Sequence, residues 1–223
     1  MTQNFEATRY KLIEQQIRPW NVPDLDVLDT LKQIPREQFV AAGQESLAFM
    51  DTQLPITGAT HPSQKMMEPK MEARILQALK PKNNELVLEV GTGSGYMAAL
   101  LSAFAKKVTT VDIDPVMVNF AKANLAKAYI SNVTVEQGDA YTGWGEQYYD
   151  VICVSGSMPS LYEGLKQQLA IGGRLFAIIG QEPLLRATLV TRQSATEFTE
   201  EVLFETSAPA LHSAKVQSES FNF

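Results

Sequence analysis

The sequence is poor in the residues from which metal centres and cross-linked folds are made: among 223 residues there are one cysteine, Cys153, and two histidines, His61 and His212. A lone thiol excludes an internal disulfide, and no Cys/His cluster has the spacing of zinc ligands. Positive charge is scarce as well. Lys and Arg number 19 against 25 Asp and Glu, a net charge of −6, which argues against a broad basic footprint for nucleic acid. No uninterrupted apolar run reaches membrane-spanning length, and Met1-Thr2-Gln3-Asn4-Phe5-Glu6 lacks the basic-then-apolar pattern of a leader. No internal repeat or low-complexity tract is present. These absences predict a cytoplasmic chain that engages neither nucleic acid nor membrane and holds no metal.

A hydrophobic content of 45% is enough for one sizeable core. One stretch organises it: Leu86-Val87-Leu88-Glu89-Val90-Gly91-Thr92-Gly93-Ser94-Gly95-Tyr96. The short apolar run, bounded by Lys82-Asn83-Asn84 and by glycines, reads as a buried parallel strand. A helix is expected from about Ser94, carrying Met97, Ala98, Leu100, Leu101 and Phe104. The glycines permit positive φ and close approach of a ligand to the backbone, and the helix start presents unpaired N–H groups. An adenosyl or phosphate ligand suits this geometry; a tight β-to-α turn with no ligand is the bland alternative. A dinucleotide fingerprint would need glycine at Tyr96, whereas the chain has an acid at Glu89 followed by alternate glycines.

The rest of the chain alternates around that turn. An amphipathic helix is expected from about Asn4 to Ile17, stopped by Arg18-Pro19-Trp20, and a second from Pro23-Asp24 with Val27, Leu28, Leu31 and Ile34. Ala48 to Lys70 carries Pro55, Gly58, Pro62 and Pro69 and reads as an ordered loop. A helix over Met71 to Leu79 precedes the organising strand. Strands are expected at Val108–Ile113, Val133–Gln137, Asp150–Ser155 and Arg174–Ile179, with helices at Pro115–Tyr129 and Leu161–Leu169. Such alternation predicts an α/β fold with a doubly wound, mostly parallel sheet, and the tail (Leu185–Thr191, Phe198–Thr206) adds an antiparallel edge hairpin. Residues 1–70 are expected to supply N-terminal helices and a substrate loop packed on a core formed by 71–223, as one compact unit.

Asp112 ends the second core strand 21 positions after Gly91, where a carboxylate reaches a ribose and accepts from both hydroxyls; a solvated strand-end acid is the alternative, with Asp114 as a helix cap. Gly138-Asp139-Ala140 follows the next strand, where an acid can receive an adenine amino group or simply make a turn. Ligands of open α/β sheets sit outside the carboxyl ends of the strands. Glu89, Gly91, Thr92, Gly93, Ser94, Gly95, Asp112, Ile113, Gly138, Asp139 and Ala140 are therefore the candidate cofactor residues.

The Glu89-to-Gly95 pattern resembles the first motif of class I S-adenosylmethionine-dependent methyltransferases, which are Rossmann-like. A narrower likeness rests on Gly91-Thr92-Gly93-Ser94-Gly95-Tyr96, Val111-Asp112-Ile113-Asp114, Gly138-Asp139 with Gly143-Trp144, Tyr149-Asp150, Gln168-Leu169 and Gly172-Gly173-Arg174-Leu175. With Gln15-Gln16-Ile17, Val27-Leu28 and Pro35-Arg36-Glu37-Gln38-Phe39-Val40, these resemble the protein-L-isoaspartate O-methyltransferase family over most of the chain. The resemblance implies methyl transfer from S-adenosyl-L-methionine to the carboxylate of isoaspartyl residues in damaged proteins or peptides, with S-adenosyl-L-homocysteine as product.

One departure bears on the acceptor. Where the family carries a Thr-Ile-Ser-x-Pro-His-like segment, the ungapped count gives Lys65-Met66-Met67-Glu68-Pro69-Lys70, so Met67 stands at the serine position and Lys70 at the His-like one. The stretch between Ile56 and Pro69 is also longer than the family's spacing. Methionine offers no hydroxyl, so Lys70 as a compensating charge and Thr60, His61, Ser63 or Gln64 as donors are candidates, each with a bland reading as a surface or packing residue. Ser155-Gly156-Ser157 after the fourth strand places Ser155 and Ser157 either against the substrate or as a cap for a helix near Ser160. Cys153 is expected to pack in the core. A different acceptor on the same scaffold, or a non-catalytic cofactor-binding protein, are the competing functions.

Overall fold

A computed structural model describes residues 5–56, 58 and 64–214. Seven strands form one sheet in the order β5-β4-β3-β6-β7-β8-β9: β3 is Leu86–Val90, β4 Lys107–Asp112, β5 Val133–Gln137, β6 Tyr149–Met158, β7 Leu169–Gln181, β8 Leu184–Arg192 and β9 Phe198–Thr206. From β5 across to β7 every pairing is parallel; β8 and β9 are antiparallel additions at one edge. The chain order therefore reverses between β3 and β6, the switch point at which an α/β sheet opens a crevice at its carboxyl ends.

Alternation along β3 sends Val87 to one face and Leu88 and Val90 to the other, and each face has its own buried cluster. Helices α3 (Pro69–Leu79), α4 (Tyr96–Ser102) and α5 (Pro115–Lys127) cover the first face, burying Ile75, Leu76, Met97, Leu101, Val118 and Leu125; the short α6 (Glu163–Gln167) covers the second with Leu165. The N-terminal helices α1 (Phe5–Leu12) and α2 (Leu25–Gln33) join the first cluster through Leu12, Val27, Leu28 and Leu31. Asp24 caps α2 by accepting from the N–H groups of Asp26 and Val27.

Several boundaries differ from expectation. The first helix stops at Leu12 and widens into a π-turn over Ile13–Ile17, where the Arg18 N–H reaches back five residues to the Ile13 carbonyl; Arg18–Trp20 then tightens to a 3-10 turn. The Ala48-to-Lys70 loop contains structure: a 3-10 turn ends at Phe49, and β1 (Leu54–Pro55) pairs with β2 (Lys65–Met66) in a two-rung antiparallel ladder. The helix expected at Leu161–Leu169 shrinks to Glu163–Gln167, because Leu169 already pairs with Tyr149 as the start of a long β7 that runs through Gly172 and Gly173. Among the described residues no helix is long and apolar enough to cross a membrane, and no cluster of His, Cys, Asp and Glu could hold a metal.

Candidate active site

The turn after β3 is held from below. The Gly91 N–H donates to the Val111 carbonyl (2.9 Å) and the Gly93 N–H to Asp112 Oδ2 (2.9 Å). Gly91 and Gly93 have φ of +92° and +51°, conformations that glycine adopts without strain. A side chain on Gly91 would run into Leu211, and one on Gly93 would press on Ile56. Bare backbone on one side and strand-end acids on the other line a crevice that opens to solvent at the carboxyl ends of the strands.

Of the expected cofactor residues, Gly91, Gly93, Asp112, Ile113, Gly138, Asp139 and Ala140 line this crevice, together with Gln64 and Ser155. Glu89, Thr92, Ser94 and Gly95 do not. The Thr92 hydroxyl turns inward to Thr110 Oγ1 (2.7 Å), and Ser94 Oγ accepts from the Tyr96 N–H, starting α4 at Tyr96 instead of Ser94. Gly95 is a packing glycine: its missing side chain lets α4 approach Ala121 of α5.

Asp112 is buried, which lifts its carboxyl above the ordinary range, while the N–H groups of Gly93 and Asp114 (3.0 Å) partly offset that by donating to it. Each of its oxygens keeps a second lone pair. Asp114 does cap α5, accepting from Val116 at 2.8 Å, and it also accepts from Gln64 Nε2 at 2.8 Å. Asp139 accepts from the Tyr141 N–H through Oδ1 and from Ser213 Oγ and the Ala214 N–H through Oδ2. Trp144 packs against Gly138, where a side chain would overlap its ring, and its indole N–H donates to Glu136. The Trp144 ring is therefore anchored by packing rather than placed in the crevice lining.

Glu89 sits behind the crevice, fully buried. Thr110 Oγ1 lies 2.6 Å from Oε2 and Ser155 Oγ 2.7 Å from Oε1, both within hydrogen-bond distance. Burial pushes its carboxyl up to about 8, only partly offset by those two hydroxyls. Cys153 is buried on β6, 3.6 Å from the same serine, and burial pushes its thiol well up, so it is an inert core thiol. Ser155 itself falls where the pairing of β6 with β7 slips between Cys153 and Ser157. Such an irregularity re-aims a side chain.

Lys70, Met67 and Ser157 are held by other partners and do not line the crevice, whereas Gln64 does. Lys70 Nζ binds Asp51 Oδ2 (2.8 Å) and lies 4.2 Å from the centre of the Trp20 ring, so it faces the N-terminal helices and not the crevice. Met67 is buried in the main cluster, and its carbonyl accepts from Arg36 (2.7 Å), whose guanidinium also binds Glu72 (2.9 Å) and the Ala48 carbonyl. Ser157 is occupied too: its N–H and hydroxyl donate to the carbonyls of Pro209 and Ala208, and its carbonyl accepts from Leu211. Thr60, His61 and Ser63 lie outside the described residues.

With this geometry in view, the chain matches the family model described as protein-L-isoaspartate(D-aspartate) O-methyltransferase over residues 7–208. It is 39% identical to protein-L-isoaspartate O-methyltransferase 1 of Rhodopseudomonas palustris (strain HaA2), over 87% of this chain and 78% of that one. The chain belongs to the protein-L-isoaspartate O-methyltransferase family. A solved protein-L-isoaspartate O-methyltransferase superposes with a TM-score of 0.81 at 25% identity, over 92% of this chain and 66% of that one. The fold is also that of a Plasmodium falciparum structure described as a putative family member in complex with S-adenosyl-L-homocysteine (TM-score 0.77, 22% identity, 92% and 98% covered).

Within that family frame, three groups of crevice residues escaped the sequence. Ile56 and Lys65 arrive on the β1–β2 ladder, and Met117 and Tyr141 from α5 and the turn after β5. The third is Pro209–His212, which lies past the end of the family match and forms a wall of the crevice. It takes the place beside β6 that β3 vacates at Val90: Ser157 bridges Ala210 in parallel. Nothing in the composition of Ala208-Pro209-Ala210-Leu211 signals this, because the segment is short and has no period.

Proposed function

We propose that this family member transfers the methyl group of S-adenosyl-L-methionine to the side-chain carboxylate of L-isoaspartyl residues in proteins or peptides, releasing S-adenosyl-L-homocysteine. The observation that carries the reading is the crevice at the switch point, where two bare glycines face two strand-end acids. Asp112 accepts from the ribose hydroxyls through its remaining lone pairs. Gly138, Ala140 and Asp139 would hold the adenine, and Gly91 and Gly93 would leave room for the methionyl portion against the backbone. What the cofactor would supply when bound is a sulfonium methyl, an electrophile for an ionised carboxylate oxygen, with the thioether as leaving group.

Such an acceptor is already ionised near neutral pH, so no general base is required of the chain. The task left to the protein is alignment and exclusion of water, a proximity effect. Lys65 is the one lysine or arginine among the described residues that line the crevice, and it supplies positive charge for a carboxylate arriving at an otherwise acidic site. The buried Met67 favours a second reading, transfer to another protein or small-molecule carboxylate, since the loop offers no hydroxyl there. An isoaspartyl peptide and its aspartyl twin separate the two. Formation of S-adenosyl-L-homocysteine is expected with the first peptide only; product from neither, from a chain that binds the cofactor, would overturn the isoaspartyl assignment.

A further inference from the structure

An acceptor carboxylate needs a hydrogen-bond donor at the end of the crevice away from the adenosine, and the strand order fixes which end that is. Gly138 to Tyr141 follow β5, Asp112 ends β4, Gly91 and Gly93 follow β3, and Ser155 lies on β6, two strands beyond Asp112. Ser155 carries the side-chain hydroxyl on that side of the lining, and its single proton has two possible destinations, the crevice or Glu89 Oε1 at 2.7 Å.

Resting on the carboxylate-acceptor reading, we propose that Ser155 is a substrate-binding residue that donates its hydroxyl proton to the acceptor carboxylate, and that Glu89 is the positioning residue that frees that proton. Counting protons along the chain of polar atoms shows how. Thr92 and Thr110 hydroxyls lie 2.7 Å apart, Thr110 is 2.6 Å from Glu89 Oε2, and Ser155 is 2.7 Å from Oε1. With Glu89 ionised, both neighbouring hydroxyls point at it. Ser155 then shows only lone pairs to the crevice, in front of a buried negative charge, and a carboxylate is repelled. With a proton on Oε1, Glu89 donates to Ser155, and the serine proton turns outward to the substrate.

The surroundings of Glu89 favour the proton-bearing form. No cation touches it among the described residues. The charged groups that act on it are both acids, Asp112 on β4 and Glu72 on α3. Arg36 is committed to Glu72 at 2.9 Å, Tyr96 on α4 donates to the Ile34 carbonyl, and Cys153 on β6 is a buried neutral thiol. Burial is the dominant cause and places the transition at about 8, so at neutral pH the serine is a donor and above about 8 it is not.

The test follows S-adenosyl-L-homocysteine formation, which ester loss does not disturb, with an isoaspartyl peptide between pH 6 and 9.5. For the wild type, kcat/KM for the peptide is expected to fall above about pH 8, by about tenfold per unit for one essential proton. Glu89→Gln, neutral at every pH, should lack that limb. Ser155→Ala should lose about 10–100-fold in kcat/KM, chiefly through KM, as expected for a lost bond to a charged group, and Ser155→Thr should recover most of it. Calorimetric affinity for S-adenosyl-L-homocysteine and the melting temperature are measured for each variant. Loss of cofactor affinity in Ser155→Ala equal to its loss in turnover would make the serine a cofactor contact and overturn the proposal. So would an unchanged KM, or a folded Glu89→Gln that keeps the alkaline limb; should that variant not fold, the Ala and Thr pair decides alone. A wild type that binds the cofactor but leaves the peptide untouched overturns the isoaspartyl assignment and this role together; normal turnover with an unchanged Ser155→Ala overturns the role alone.

Discussion

On the sheet side of the crevice, Gly91, Gly93 and Asp112 hang from the ends of adjacent parallel strands whose ladders run five rungs each. On the loop side, Lys65 belongs to a ladder of two rungs, Leu54 with Met66 and Pro55 with Lys65, and Ile56 and Gln64 pair just beyond it. The sheet side, which includes Ser155 of β6, is positioned by backbone pairing, the loop side by side chains reaching across from elsewhere. Arg36 is the main one: its guanidinium ties the Met67 and Ala48 carbonyls to Glu72. Position fixed by regular backbone pairing tolerates change in side chains; position fixed by one buried cation does not.

Breaking that cation should therefore have the largest effect. Arg36→Ala strands Glu72, and removing one partner of a buried pair costs about 3–5 kcal/mol, measurable as a lowered denaturant midpoint. Burial, outweighing Arg36, already pushes the Glu72 carboxyl up to about 7. Without Arg36 the folded variant keeps that proton to higher pH than the folded wild type, so its stability deficit should be smaller at pH 6 than at pH 8. An equal deficit at both would show that Glu72 does not carry the cost.

On the sheet side, Asp112→Ala removes both the proposed ribose acceptor and the group that holds the Gly93 and Asp114 N–H groups. Affinity for S-adenosyl-L-homocysteine should drop about 10–100-fold by calorimetry, with the sheet intact by circular dichroism. Wild-type affinity would mean that the cofactor lies elsewhere. The smallest effect is expected for Lys70→Met, which loses a partly exposed pair with Asp51 worth no more than about 1 kcal/mol. Its turnover should stay within about twofold of wild type, in line with a near-neutral surface pair; a larger fall would return Lys70 to the acceptor site.

The same contrast explains what could be read from the amino acids. Strand periods located β3 to β6 and the lining positions of Gly91, Asp112 and Asp139, because a strand-end residue goes where its strand ends; the strand order, and with it the switch between β3 and β6, came only with the structure. Alternation alone did not tell which members of the glycine turn face outward: Thr92 and Ser94 turn inward to Thr110 and the Tyr96 N–H. Lys70 was misplaced because its direction depends on Asp51 and Trp20, the latter 50 positions away in the chain. Lys65 was passed over since nothing local marks the two-residue strand that aims it. Ser157 looked like Ser155 in sequence, yet one meets Glu89 and the other the C-terminal segment.

That segment gives the crevice wall a clock. The amides of Ser157 and Leu211 donate to the Pro209 and Ser157 carbonyls, so exchange of either proton for deuterium requires the two strands of chain to part. Their protection factors report how often residues 209–211 lift from β6. A slower exchange on adding S-adenosyl-L-homocysteine would measure, in free energy, how firmly an occupied crevice holds its own wall in place.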